Sequence, residues 1–215
     1  MERINVFSSI FQQPGRRHAW VAKTDVLVAM TVTSISLPGL HAPTASLEVP
    51  LEMLAACHGR VEKQCETLLH LLEHLDRFGV DTQAQEAIAA VIRYFDTAAV
   101  HHHADEEIDL FPALLEAMAG SDAVCIRALT EGLTQDHVRL SAQWAALKTS
   151  LQALQNARAD TKMEPELGSL TQAFVSAYRQ HIEREETELL PMANRLLDDA
   201  QLDRIGISMR WRRGL

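Results

Sequence analysis

From Val49 onward apolar residues recur at spacings of three and four, in four stretches divided by turn signals. The first predicted helix runs from about Pro50 to Arg77 and stops at FGVDT, where Gly79 can end one helix and Asp81 or Thr82 can cap the next. The second occupies about Thr82–Ala119, with Pro112 expected to kink or divide it. GSD at 120–122 supplies a break, a third helix spans about Ala123–Gln155, and the looser NARADTKMEP leads into a fourth over about Glu166–Asp199. Short connections between long amphipathic helices predict an all-α fold, an up-down-up-down four-helix bundle over residues 47–199. Residues 1–46 read as a largely irregular N-terminal extension. Residues 200–215, ending in ISMRWRRGL, read as a short, basic, solvated tail packing at most on the bundle end.

At 100° per residue, each helix carries one histidine on its apolar face. Ile88, Val91, Phe95, Ala98 and Ala99 fall within about 60° of His102, as does Glu106, whereas His101 and His103 lie about 100° to either side. Leu170, Phe174, Ala177 and Tyr178 share a face with His181 and Glu185. Leu51, Leu54, Ala55 and Cys65 share one with His58, and Leu133, Thr134 and Trp144 share one with His137. Antiparallel neighbours bring residues to one level when these are equidistant from the turn between them. The midpoint of His58 and His102 is Val80, that of His102 and His137 falls between Ala119 and Gly120, and that of His137 and His181 is Ala159. Each lies in a predicted connection, so the four histidines are expected at one level of one bundle.

The chain also repeats itself. His58 to His102 and His137 to His181 are both 44 residues, and HHADEEIDLFP aligns without a gap with HIEREETELLP. This pairs His102 with His181, Glu106 with Glu185, Glu107 with Glu186, Leu110 with Leu189 and Pro112 with Pro191.

Composition agrees with helix: the 215 residues are 47% hydrophobic but only 5% aromatic. A net charge of −9 offers no basic field to a phosphate backbone, so nucleic acid is not an expected partner. Cys57, Cys65 and Cys125 have no CxxC spacing, as expected of a reducing cytoplasm. VLVAMTVTSISLPGL (26–40) imitates a signal peptide, but scattered Thr and Ser and the lack of a cleavage motif favour a cytoplasmic protein. No apolar run reaches the roughly 18 residues of a spanning helix, so no membrane partner is expected. Met30 offers an alternative start, because residues 1–25 are polar and patternless. No Gly-rich phosphate loop, GxSxG elbow or oriented Cys–His pair is present.

Four imidazoles and two carboxylates converging in a dry core would cost roughly several kcal/mol for each unpaired charge. A metal centre removes that penalty, since carboxylates gain cations and neutral imidazoles donate lone pairs. Six ligands are too many for one tetrahedral zinc and suit two metals bridged by both carboxylates and a solvent-derived oxygen. Mixed imidazole and carboxylate ligation fits iron best, with manganese or zinc as substitutes.

HxxxE occurs twice, each time in an HxxxEExxL[FL]P setting with a lone histidine on the preceding helix. In this the chain, over about residues 47–198, is similar to the hemerythrin-like HHE cation-binding family. The resemblance implies a centre of two non-haem irons in a four-helix bundle, held by His58, His102, Glu106, His137, His181 and Glu185, with Glu106 and Glu185 bridging. The oxygen-carrying hemerythrins have a second histidine one turn along helix three, where this chain has Ser141, and HxxxxD in helix four, where it has HxxxE. Losing one histidine opens a position at one iron, which favours exchange with solvent, peroxide or nitric oxide over reversible oxygen carriage. Glu62, one turn after His58 and about 40° from it, is a candidate seventh ligand or hydrogen-bond partner of one.

The remaining polar residues have plainer readings. His70 and His74 sit on the outer face of helix one; His101, His103 and Glu107 flank the bundle, with Glu107 or Asp105 able to hold a histidine ring; the acids of 183–188 form a solvated face. Cys65, Trp144 and Tyr178 are expected in the core. The expected function is a di-iron protein that binds or reduces oxygen, peroxide or nitric oxide. The alternatives are a non-enzymatic iron or oxygen sensing, storage or delivery module, and a structural or zinc-holding bundle.

Overall fold

The computed structural model describes residues 49–118, 123–156 and 165–215. The N-terminal expectations, residues 1–46 with the signal-like stretch and Met30, lie outside the described residues. Among the described residues the fold is all-helical, without strands.

Helix α1 (Pro50–Phe78) begins with proline at its first turn, where a missing N–H costs nothing, and ends at Gly79, whose φ of 70° favours a residue without Cβ. Asp81 caps α2 (Thr82–Ala104), its side chain accepting from Ala84 N at 2.8 Å. The second stretch divides just ahead of Pro112, as expected, but through a π-helical segment (Asp105–Leu110) that joins α2 to α3 (Phe111–Glu116), the wider turn absorbing the backbone bond that the proline cannot make. The repeat does the same: α5 (Pro165–Arg184) passes through a second π segment (Glu185–Leu189) into α6 (Leu190–Leu196), just ahead of Pro191. Between them runs α4 (Ala123–Gln155).

The fourth stretch ends sooner than the sequence suggests. Leu197 is extended, and Asp198 opens a further helix, α7 (Asp199–Arg212), through a capping box with Gln201. The expected solvated tail is thus largely helical, with Ile205, Gly206 and Met209 buried.

Helix α1 packs on α2 and α5, and α4 on the same two. The core has two apolar clusters. One gathers Val61, Leu68, Phe95, Leu140, Phe174 and Tyr178; the other gathers Leu54, Leu110, Leu114, Ile126, Leu133 and Leu189. Along each of the four long helical paths the buried histidine falls between residues of one cluster and residues of the other, so a polar layer divides the core.

Candidate metal centre

That layer holds His58 on α1, His102 at the end of α2, Glu106 in the first π segment, His137 on α4, His181 on α5 and Glu185 in the second π segment. All are buried, the two glutamates completely. Five imidazole-to-carboxylate approaches connect them. His58 Nε2 and His181 Nε2 each lie 3.1 Å from a Glu185 oxygen, His102 Nε2 lies 3.5 Å and His137 Nε2 3.4 Å from Glu106, and His137 Nε2 lies 3.8 Å from Glu185.

None of these approaches is aligned as a hydrogen bond. Eleven buried side-chain nitrogen and oxygen atoms among the described residues lack a hydrogen-bond partner, and nine of them belong to these six residues. Buried polar atoms are ordinarily satisfied, so their concentration in one layer calls for a shared partner. Neighbouring ligands of an ion with bonds of about 2.1 Å stand about 3.0 to 3.4 Å apart, close to the 3.1 to 3.5 Å of all but the His137–Glu185 approach. Three sets of donors stand close enough to hold an ion: His103, His137 and His181; His58, His102, Glu106 and Glu185; and Glu106, His137, His181 and Glu185. Within each set the ligand atoms lie within 4.8 Å of one another, and both glutamates belong to the last two sets.

The outer nitrogens are held from behind. His58 Nδ1 donates to Glu186 and His137 Nδ1 to Glu107, both at 2.6 Å, which turns each Nε2 lone pair inward. Asp136 accepts from Arg139 and Arg184 at 2.6 and 2.7 Å, and its other contact is His181 Nδ1 at 3.9 Å. Gly132 makes that reach possible, because a Cβ there would come within 2.9 Å of the Arg184 guanidinium.

Without a cation the layer can be neutralised only by protons, and its members disagree about where these go. Burial alone would push His58 and His137 down, but the carboxylates of Glu185 and Glu186 lift His58 to about 9, and those of Glu106, Glu185 and Glu107 lift His137 to about 10. Burial presses His102 down to about 3. Burial and the nearby Glu185 charge hold Glu106 above the usual carboxylate range; Glu185 resists its own burial through His137, His181 and His58 and stays below it.

The hemerythrin HHE cation-binding domain matches residues 49–193. The chain belongs to this family. A protein of Haemophilus influenzae described as uncharacterized is 31% identical to it over 170 residues, 79% of this chain and 92% of the relative.

Within this HHE domain the structure corrects several sequence expectations. Glu62 is exposed and belongs to none of the donor groups. The buried face of α1 is centred on Leu54, Val61, Cys65 and Leu68, with His58 already at its edge, and a further 40° or so carries Glu62 past that edge. His103 is not a flanking surface residue. Its ring stacks on His137 at 4.0 Å and 12°, with the Tyr178 hydroxyl 3.4 Å from its Nε2, and burial pushes its pKa well down. Its ligand atom lies within 4.8 Å of those of His137 and His181, but its ring faces that of His137 instead of converging with it on a common point, so His103 walls the layer. Glu186 stays on the exposed acidic face but also holds His58. His70 is exposed, and His74 bonds Asp81 at 2.9 Å. Tyr178 and Cys65 are buried in the core, where burial pushes the Cys65 thiol up to about 12; Trp144, half-buried, donates to Asp96 at 3.0 Å.

Proposed function

We propose that this HHE domain is a di-iron protein that binds or reduces a small oxidant: oxygen, peroxide or nitric oxide. In this reading one iron is held by His58 and His102, the other by His137 and His181, and Glu106 and Glu185 bridge them. The residues fit that group: the observation that carries the reading is the nine unpartnered buried atoms, all on the residues that two ions sharing two carboxylates would need. Mixed nitrogen and oxygen donors of this kind favour iron over the softer-ligand metals. The ligand set lies wholly within residues 47–199, whose four long helical paths would alternate in direction as an up-down-up-down bundle.

Bound iron would supply electrons and an open coordination position to the oxidant. The chain's own part is to orient and exclude. Glu107 and Glu186 fix two imidazoles by their Nδ1 protons, and the two apolar clusters keep bulk water from the layer. A cavity of about 230 Å³ reaches His103, Ser141 and Tyr178 beside the His137 group, between Phe95, Ala99 and Trp144. It is roomy enough for a diatomic or peroxide molecule, although none of the six donors lines it directly. Ser141, short where the oxygen-carrying relatives place an imidazole, leaves that side open.

The three cysteines are free and no described helix is long and apolar enough to cross a membrane, which supports the cytoplasm as the compartment. The net charge of −9 argues against a nucleic-acid partner. A sensing or storage role would use the same ligands. Peroxide turnover against reversible oxygen binding separates the two: catalysed loss of peroxide by the iron-loaded protein supports the first, and binding without turnover supports the second. A Ser141→Leu variant that reacts as fast as wild type would remove the cavity from the account.

A further inference from the structure

The basic C-terminal stretch is not spent on solvent. Asp105, completely buried, opens the first π segment one residue before Glu106. Arg212 Nη1 and Arg213 Nη1 both donate to its Oδ1, and Arg213 Nη2 donates to its Oδ2. Arg212 Nη2 also reaches Asp109 at 2.7 Å, and Arg213 Nη1 the Met209 carbonyl at 2.8 Å. Helix α7 packs on α1 and on this same π segment.

The internal repeat explains why the contact exists. Aligning His102 with His181 pairs Asp105 with Arg184, and aligning His58 with His137 pairs Cys57 with Asp136. In the second half Arg184 and Asp136 neutralise each other across α5 and α4 at 2.7 Å. In the first half the same two positions hold a carboxylate and a thiol, which cannot pair; the thiol instead accepts from Arg60 at 2.8 Å. A buried carboxylate left so needs a cation from elsewhere, and α7 delivers two.

We propose that Arg212 and Arg213 are positioning residues of the metal centre: through Asp105 they fix the first π segment and so aim Glu106 at the ion held with His58, His102 and Glu185. This rests on the two-iron reading. Because Glu106 also belongs to the donor group of His137 and His181, the other ion depends on it as well, but the second π segment follows directly on Arg184, which pairs with Asp136 and not with α7.

The test uses full-length protein loaded with ferrous iron under argon, with release to a chelator followed in time. In R212A/R213A iron leaves about 10- to 100-fold faster than in wild type, and both ions are affected because Glu106 belongs to both donor groups. R212K/R213K, which keeps the charge but not the two-pronged geometry, falls between. Amide exchange in the metal-free proteins is faster at 105–110 in the alanine variant and unchanged at 185–189. A merely structural α7 would quicken exchange in both π segments alike, and that result overturns the proposal. So does a folded alanine variant with wild-type release. If wild type takes up no iron, the two-iron reading fails, and the exchange comparison alone decides whether the arginines fix the segment; equal exchange at 105–110 overturns that too.

Discussion

Glu107 and Glu186 occupy equivalent places in the repeat, and each takes the Nδ1 proton of a buried histidine on another helix. Replacing either by glutamine keeps a hydrogen-bonding group but removes the charge that makes the imidazole a strong donor. Glu107→Gln and Glu186→Gln are each expected to weaken metal binding by about 10- to 100-fold, read by chelator competition, with helical content unchanged. Glu62→Gln is expected to leave metal content and absorption unaltered, because its carboxylate is in solvent. The six central residues were legible because helical period and repeat spacing both select them. Glu186 was hidden among the acids of 183–188, although its alignment with Glu107 marks the equivalent role. Asp136 and Arg184 left no mark: a pair that closes across two helices has no signature in the spacing of either. His103 was misplaced because an angle about 100° from His102 says which side of α2 it leaves by, and not that the His137 ring waits there.

At the scale of elements, the helix boundaries were readable where a proline, glycine or capping aspartate sets them, as at Pro50, Gly79 and Asp81. The π segments were not, because nothing in the apolar period of DEEIDL or EETEL marks a turn widened by one residue. The break at Leu197 was also missed, since the apolar pattern runs on through LLDDAQL while Asp198 restarts the helix with its capping box. Asp198→Ala is expected to cost about 1 kcal/mol, seen as a lower thermal midpoint, because it leaves the Gln201 amide of α7 unpaired. Leu54→Ala, in the cluster beneath the metal layer, is expected to cost about 2–5 kcal/mol by the same measurement.

For the whole molecule, a polar layer across the core makes stability depend on what neutralises it. In the metal-free protein His58 and His137 titrate at about 9 and 10, above the 6.5 of an unfolded histidine. Their contribution is complete below pH 6.5 and is lost as pH rises through 9 to 10. His102, held at about 3, adds nothing to that alkaline loss. Denaturant unfolding of metal-free protein is therefore expected to show falling stability from pH 6.5 to 10, and the metal-loaded protein is expected to lack that fall, because a cation replaces the protons. The measurement that bears most directly on the account is the iron content and optical spectrum of the full chain after anaerobic reconstitution, in wild type and in H102A/H181A. The account predicts about two irons per wild-type chain and a clear loss in the variant; a wild type that stays metal-free, or a variant that keeps its full iron, contradicts it.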